Sequence, residues 1–522
     1  MSVILTGVNP NDPIPGLLGE IRFAQGPGGG VAPERLVLLY GNKTSAGSET
    51  ENEITTPILD RADCIARFGA RSEMRWLWEA FMAIPQQVTI YGCAVPVPSS
   101  GSPTAATRAF TFTTAASAST NIFVEWAGRQ YVIAVASGDT AITQAAAVAA
   151  ITDDWEEGGV PFTAAVGGSG SEHIVTFTAS HVGDRGKYFL DGIRIRYETF
   201  AATTVSAAAT TAGTGSDDFT SAYAKADAKG LFYYQVNPKF STTAPTATDN
   251  GVGEGIAYIT QAALPGNGKR QQMHFGLVGT NAEAITVTTD TDANNVRAKF
   301  WWAENSPFAP GMVAAIHCAI VRQAEVSFAG ANVNGYKAGD GRLYPFPAPY
   351  STADYPTTTE IRNALNNGIC PIGYDAKGSP YIVRHITSRS LASNGANDYR
   401  AREGHIPSAL DFAMDYILSL YSAQKEQLPL HSPTDLLRGQ KPREGMMYPS
   451  IATGIVAKGI RDLTGANGGL PVLDPSTEAE QVASIRVDSA TMADGYGIAV
   501  NLLAVRHHNK DHLLFLESGP AY

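Results

Sequence analysis

The chain has 522 residues, 44% of them hydrophobic and 17% charged, which is enough apolar material for several buried cores and unlike a disordered protein. Its formal net charge is -11 and it has no lysine and arginine cluster that could form a basic face, so we expect no nucleic-acid binding. The apolar runs are too short to cross a bilayer and the N terminus lacks a cationic stretch before an apolar one, so we expect neither membrane insertion nor a secretory signal peptide.

The N-terminal region alternates strand and helix patterns. A glycine-rich stretch at 26–30 is typical of a flexible arm, and the apolar run 36–40 that follows predicts a strand ended by Gly41. Ser72 is placed to cap a helix that stops before Pro85, and a strand is predicted at 88–91. Strands that are apolar on both faces and joined by helices favour an α/β layer with parallel pairing.

A small module of its own is predicted between two stretches that resemble linkers, 95–104 and 201–218. Asp139 or Thr140 can cap the alanine-rich helix at 141–151. Alternating patterns predict strands at 110–112, 122–126, 131–135, 162–166, 174–178 and 193–197. We therefore predict an α+β domain inserted in a loop of the larger α/β domain.

After the second linker-like stretch the alternation of strands and helices resumes. Strands are predicted at 231–236, 273–278 and 294–302, and helices at 253–263 and 312–321, the latter entered at Pro310.

The last third begins with a predicted strand at 381–386 and continues with a long helix opened by Pro407. The apolar stripe of that helix is predicted to comprise Leu410, Ala413, Met414, Ile417 and Tyr421. A second helix is predicted at 450–463, ending near Gly465. Extended segments follow at 485–487, 496–505 and 512–516, and the last of these must find a partner sheet, in this chain or in another.

The motifs that would indicate an enzyme or a metal site are incomplete. The segment 266–270 contains Gly-Lys, but Ala263 and Arg270 stand where a phosphate-binding loop needs Gly and Ser or Thr. The segment 167–171 ends on Ser where a nucleophile elbow needs Gly, so a hairpin turn is the better interpretation. Four cysteines without a CxxC pair, Cys64, Cys93, Cys318 and Cys370, indicate reduced thiols in the core.

Clusters of histidine, tryptophan and acidic residues have structural interpretations as well. His507, His508, Asp511 and His512 could in principle meet at one metal ion, but adjacent histidines in a strand point to opposite faces, so a solvated connection is preferred. The pairs Trp76/Trp78 and Trp301/Trp302 are expected to pack in the core. The acidic pairs at 153–154 and 156–157 are expected on a solvated face. We predict no catalytic residue, metal site or cofactor.

Several segments stand out by their order and spacing: Ile14-Pro15-Gly16 with Glu20 and Phe23, the segments 35–41 and 66–74, the segments 127–135 and 138–141 of the predicted insert, and the segment 386–389 before the long helix. In this order and spacing they resemble the contractile tail sheath proteins of Mu-like myophages. Leu17 stands where the family usually has an aromatic residue, and the C-terminal third diverges most.

The resemblance implies a sheath subunit that assembles with itself in stacked, usually hexameric rings around a tail tube protein, together with baseplate and tail terminator proteins. It also implies a core with subtilisin-like topology but no catalytic triad. Neighbouring subunits would be linked by an N-terminal arm, Ile14, Pro15, Gly16, Leu17, Glu20 and Phe23, and by a donated C-terminal strand, Leu513, Leu514, Phe515 and Leu516. The implied location is a virion tail assembled in the host cytoplasm, where contraction drives the tube through the host envelope for DNA ejection.

Taken together, these predictions divide the chain into five regions. They are an N-terminal extended arm (1–30), a first sheath core segment (31–102), an outward-facing inserted α+β domain (103–215), a second sheath core segment (216–375) and a C-terminal domain ending in the donated strand (376–522). Three alternatives stay open: the sheath of a tailocin or another contractile injection device, a subtilisin-like hydrolase with an unrecognised triad, and a surface-layer protein or adhesin.

Overall fold

The computed structural model of the protein describes residues 35–155, 159–198, 204–230, 232–240, 251–263, 269–288, 293–327, 331–336, 345–391, 402–425, 449–465, 472–492 and 495–502. These residues divide into two compact units, one within 35–411 and the other within 412–502.

The elements of the first unit, in chain order, are β1 (Leu36–Gly41), α1 (Arg61–Phe68), α2 (Glu73–Met82), β2 (Ile90–Ala94), β3 (Ala105–Phe112), β4 (Thr120–Trp126), β5 (Arg129–Val135), α3 (Ala141–Asp154), β6 (Phe162–Val166), β7 (Ile174–Val182), α4 (Gly186–Asp191), β8 (Arg194–Tyr197), β9 (Val205–Ala207), α5 (Thr220–Lys229), β10 (Phe232–Asn237), α6 (Val252–Ala262), β11 (Gln272–Leu277), α7 (Asn281–Thr288), β12 (Ala298–Trp302), α8 (Pro310–Ser327), α9 (Thr358–Asn366), β13 (Ile369–Tyr374) and β14 (Pro380–Ile382). Helix α10 (His405–Lys425) begins in this unit, and the second unit continues with α11 (Pro449–Leu463), α12 (Glu478–Ala483), β15 (Ile485–Met492) and β16 (Gly495–Leu502).

A seven-stranded sheet forms the centre of the first unit, in the order β14-β13-β12-β11-β10-β1-β2. Six of its strands are parallel, and β14 adds an antiparallel edge to β13. Strand β1 lies between β2 and β10, with Val37 opposite both Ile90 and Tyr234. The mixed α/β architecture with parallel pairing that the sequence indicates is confirmed; the subtilisin-like topology stays a prediction.

The two faces of this sheet bury different helices, because successive side chains of a strand point to opposite sides. Val37 and Leu39 join the core formed with α2 and α8. Leu38 and Tyr40 join the core formed with α5 and α6. This double burial explains why the strands have apolar runs and not an alternating pattern.

Local signals in the sequence set the ends of the two helices on the first face. The Ser72 hydroxyl accepts a hydrogen bond from the Arg75 N–H at 3.1 Å, which confirms the predicted cap of α2. Helix α8 begins at Pro310, against β11. A Cβ atom on Gly276 would lie 1.8 Å from the Pro310 carbonyl oxygen, so this approach requires glycine.

The predicted strands and helix between 105 and 198 are present. They form a four-stranded sheet, β6-β7-β3-β9, and a three-stranded sheet, β5-β4-β8, with α3 capped by the Thr140 hydroxyl. Strand β9 lies in the stretch 201–218 that the sequence indicates as a linker. That interpretation is wrong for 205–207, which pair with Phe110–Phe112, and the Ala and Ser residues of this edge strand leave no alternating pattern in the sequence.

A buried network of charges joins this module to the central sheet. The Arg185 guanidinium donates to Glu73 Oε2 at 2.5 Å, to Asp217 Oδ2 at 2.6 Å and to Asn42 Oδ1 at 2.7 Å. Imidazole Nε2 of His181 accepts a hydrogen bond from the Glu73 backbone N–H at 3.0 Å. Burial, and then the nearby Arg185, lower the pKa of His181 to about 4. The ring therefore stays neutral, and its Nε2 has the free lone pair that accepts this hydrogen bond. We call these five residues the junction network.

Several of the smaller predictions are also confirmed. The four cysteines are buried and free, and Trp76, Trp78, Trp301 and Trp302 are buried in the core. Residues 167–171 form the hairpin turn between β6 and β7, in which the Gly167 N–H donates to the Ile174 carbonyl at 2.8 Å. The segment 264–268, the histidine cluster at 507–512 and the acidic residues 156–157 lie outside the described residues.

Candidate assembly interface

The second unit contains a two-stranded antiparallel ribbon, β15 and β16. Its register pairs Ile485 with Leu502 and continues without a shift to Met492 opposite Gly495. Among the described residues no third strand pairs with either one, so the outer backbone edges of both strands are open there. A two-stranded ribbon is only marginally stable in water by itself, and an open edge is a template for pairing with another strand.

Helix α11 supports one side of this ribbon and packs against both strands. Its buried residues include Ile455, Val456, Ile460 and Leu463. After the helix the chain returns through hydrogen bonds from the Val472 and Leu473 N–H groups to the Leu463 carbonyl, at 2.7 and 3.0 Å. The ribbon is thus held on a helix while its edges are left open among the described residues.

Helix α10 packs on α11 at a glycine. A Cβ atom on Gly459 would lie 2.8 Å from Ile417 Cγ1 and 3.4 Å from Leu420 Cδ1, so these side chains occupy the space that a larger residue would need. The Tyr416 hydroxyl donates to Asp462 at 3.1 Å beside this contact. The pair of helices therefore depends on a residue without a side chain at position 459.

We expect Gly459→Val to destabilise the second unit by about 1–3 kcal/mol, because the added atoms overpack the contact with Ile417. Gly454 in the same helix provides the matched control, since a Cβ atom there would meet nothing within 4 Å. Gly454→Ala should stabilise the unit by up to about 1 kcal/mol through helix propensity. Urea denaturation of both variants measures this, and equal effects would contradict the packing.

The apolar face of α10 differs from the predicted stripe. Ala413 and Ile417 are buried, but Leu410 and Met414 are 37% and 41% exposed, and Leu418 is 45% exposed. The last three repeat every four residues and so share one side of the helix. The prediction was wrong in placing Leu410 and Met414 with the buried residues, because a helix rich in apolar residues on two adjacent sides gives no single stripe. Tyr421 lies in α10, but its side chain is outside the described residues.

The first described residue, Arg35, is fixed to the first unit. Its guanidinium donates to Glu325 Oε2 at 3.1 Å and to the Ser408 carbonyl at 2.8 Å, and it lies 3.9 Å from the centre of the Tyr233 ring. Burial alone lowers the pKa of Arg35, but Tyr233, Tyr234 and Glu325 outweigh burial and raise it, so the cation persists. Any segment that precedes this residue therefore leaves from a fixed point.

A second ion pair lies close to Arg35. Arg297 donates to both carboxylate oxygens of Asp411, at 2.6 and 2.7 Å, and the Tyr233 hydroxyl donates to the same carboxylate at 2.9 Å. Bidentate pairs of this kind fix orientation as well as charge. Neither pair could be predicted, because the partners are far apart in the sequence and ordinary charged residues carry no local pattern.

The predicted interface residues themselves lie outside the described residues. They are Ile14, Pro15, Gly16, Leu17, Glu20 and Phe23 of the arm and Leu513, Leu514, Phe515 and Leu516 of the final strand. What the structure does describe is the ribbon of the second unit and Arg35, the residue from which the predicted arm would extend.

Three solved structures are similar to this chain over most of its length. A sheath tail protein from Listeria innocua has 12% identity and a TM-score of 0.43, covering 92% of this chain and 93% of that one. A sheath tail protein from Desulfitobacterium hafniense has 12% identity and a TM-score of 0.44, covering 93% and 100%. A chain in the baseplate of the anti-feeding prophage has 11% identity and a TM-score of 0.40, covering 97% and 100%.

The Listeria and Desulfitobacterium proteins belong to the class of protein that the sequence resemblance names, and the Mu-like branch stays a prediction. No family model and no curated protein matches the chain. Within the described ranges, every helix is too short or too polar to span a bilayer. Over the same residues, no three His, Cys, Asp or Glu side chains are grouped so that they could hold a metal ion.

Proposed function

We propose that this chain is the sheath subunit of a contractile tail, which polymerises with itself in hexameric, helically stacked rings around a tail tube protein. The observation that carries the proposal is the β15–β16 ribbon, which is supported by α11 and has two open edges among the described residues. The segments that resemble sheath proteins support the same function, because they coincide with defined elements of the structure. Segment 35–41 contains β1, segment 66–74 joins α1 to α2, and segment 138–141 leads into α3.

Strand exchange would link the subunits. The N-terminal arm and the strand 513–516 of neighbouring subunits would pair with the open edges of the ribbon, where backbone hydrogen bonds supply the strength. The fixed position of Arg35 gives the arm a defined root on the donor subunit. Contraction would then be a change between two packings of the subunits, with the exchanged strands as hinges.

The inserted module would face outward and move with the core as one body. The junction network supports this, because Arg185 joins the module to Asn42 after β1 and to Glu73 of α2 through buried hydrogen bonds. The tail tube, the baseplate and the tail terminator are the proposed partners, in a virion tail. The sheath of a tailocin or another phage-derived device has the same geometry, and the genes next to the coding sequence separate these cases.

A hydrolase is the weaker alternative, and the described histidines do not favour it. A catalytic imidazole is hydrogen-bonded to both a nucleophile and a carboxylate. His181 accepts from a backbone N–H and His274 accepts from the Trp301 indole, while neither ring nitrogen of His385 has a hydrogen-bond partner among the described residues. A covalent serine-hydrolase probe should therefore leave the protein unlabelled, and stoichiometric labelling would favour the hydrolase.

Negative-stain electron microscopy of the purified protein over a concentration series tests the proposed assembly. We expect rings or striated hollow tubes above a threshold concentration. Separate compact particles at every concentration would contradict self-assembly through exchanged strands.

A further inference from the structure

Three buried histidines surround one tryptophan in the first unit, and a fourth buried histidine lies near one of them. His274 lies on β11, His317 on α8, His385 after β14 and His405 at the start of α10, and Trp301 and Lys299 lie on β12 between them. All six side chains are buried. We call these residues the imidazole cluster, and neither the sequence motifs nor the proposed assembly accounts for it.

Three of the imidazole rings lie nearly parallel to the Trp301 indole. The ring centres of His317, His385 and His274 are 4.7, 5.3 and 6.2 Å from that of the indole, with angles of 16°, 16° and 11° between the planes. The indole N–H donates to His274 Nδ1 at 3.0 Å. Since this nitrogen accepts, it carries no proton, and the His274 ring is uncharged.

His385 is held by shape and not by hydrogen bonds of its ring. Neither ring nitrogen has a hydrogen-bond partner among the described residues, and a Cβ atom on Gly404 would lie 2.3 Å from its Nε2. His317 Nδ1 lies 2.6 Å from the Val313 carbonyl, which can accept from it. The rings therefore fasten α8 and the backbone at Gly404, one residue before α10, to β12.

The charges around the cluster oppose protonation of the rings. The Lys299 ammonium lies among them and donates to the Gly404 carbonyl at 3.1 Å. The neighbouring carboxylates already have arginine partners: Glu325 binds Arg35, Asp411 binds Arg297, and Glu403 binds Arg384. Cys370 and Tyr234 also face the cluster, and burial raises the pKa of both, so they stay neutral.

The pKa values agree with this arrangement. Burial and then Lys299 lower the pKa of His385 and His274 well below the ordinary 6.5. Burial lowers the pKa of His317 to about 4, and burial followed by Lys299 and Arg384 lowers that of His405 to about 4. The histidines of the unfolded chain take up protons below about pH 6.5, whereas those of the folded chain do so only near or below about pH 4. The contribution of the cluster to folding stability is therefore complete above about pH 6.5 and falls as the pH decreases from about 6.5 to about 4.

We infer that the imidazole cluster is an acid-sensitive latch, in which uncharged rings fasten α8, the segment 384–388 and the start of α10 to the sheet at neutral pH. Protonation releases these segments before the sheet itself unfolds, because the buried Lys299 ammonium repels an added positive charge and the described carboxylates near it already bind arginine. This inference concerns the folded subunit and does not depend on the proposed assembly.

Hydrogen–deuterium exchange of the full-length subunit at stepped pH values, corrected for the intrinsic rate, tests the latch. Between pH 7.5 and 4.5, peptides covering 384–391 and 402–411 should lose protection before peptides covering β10 and β11. Simultaneous loss over all these peptides, or no loss above pH 4, would overturn the inference.

Variants identify the groups that titrate. His385→Phe keeps a ring but cannot be protonated. The loss of exchange protection in peptides 384–391 and 402–411 should therefore move to lower pH, and the number of protons taken up when these segments open should fall by about one. His173→Phe is the control, since His173 lies outside the cluster, in the turn before β7. If His385→Phe does not fold at pH 7.5, His317→Phe replaces it, with the same expected shift. An unchanged opening pH in the folded variant would overturn the latch.

Discussion

Replacing Arg185 with methionine is expected to lower the free energy of unfolding by about 3–5 kcal/mol, since the change leaves two buried carboxylates without their cation. Glu73 and Asp217 lie 2.5 and 2.6 Å from the guanidinium, and all three side chains are buried. Urea denaturation at pH 7 measures the loss. A loss below about 1 kcal/mol would contradict the importance of this network.

Two further variants separate the buried charge from a general effect of losing a cation. Lys225→Met removes the cation from an ion pair with Glu53 whose side chains are 49% and 51% exposed, so it should change the stability by less than about 1 kcal/mol. The triple variant Arg185→Met, Glu73→Gln and Asp217→Asn has no unpaired charge and should recover part of the loss. If the triple variant is no more stable than Arg185→Met, the cost comes from lost packing and not from charge.

Deletion of residues 503–522 is expected to abolish tube formation while the subunit stays folded. The proposed donated strand, 513–516, lies in this segment, and the open edges of β15 and β16 would then lack one partner. Circular dichroism checks the fold and electron microscopy checks assembly. Normal tubes from the truncated protein would show that this strand is not needed.

A shorter deletion and a peptide make the test specific. Removing only 517–522 leaves the apolar strand and should leave assembly unchanged. A synthetic peptide of residues 503–522 should bind the truncated subunit, whereas the same peptide with Leu514→Pro should bind at least tenfold more weakly, because proline removes a backbone donor and distorts a paired strand. Equal binding of the two peptides would argue against strand pairing.

The central sheet could be predicted from the sequence because its signals are local. The apolar run of β1 and the Ser72 cap of α2 lie within a few residues of the elements that they specify. Strand β13 was missed for a local reason too: Pro371 and Gly373 interrupt its pattern. The structure accommodates Pro371 near the end of the register with the edge strand β14, where its carbonyl accepts from the Val383 N–H at 3.1 Å and no N–H of its own is needed.

Long-range features could not be predicted in this way. Glu73 and Arg185 are 112 residues apart, and nothing in the sequence around either residue indicates that they meet. The same is true of the imidazole cluster, whose four histidines are isolated in the sequence. For the ribbon, extended segments at 485–487 and 496–505 were predicted, but their pairing depends on register, which a short alternating pattern does not fix.

The most direct test of strand exchange is a cross-link within assembled tubes. Phe515 would be replaced by the photoreactive residue p-benzoylphenylalanine, and tubes would be grown from equal amounts of isotope-labelled and unlabelled subunits. We predict cross-links from position 515 to residues 485–502, with about half of them joining a labelled chain to an unlabelled one. Cross-links to the ribbon that join only chains of the same label would show that the strand folds back on its own subunit, and would contradict the proposed exchange.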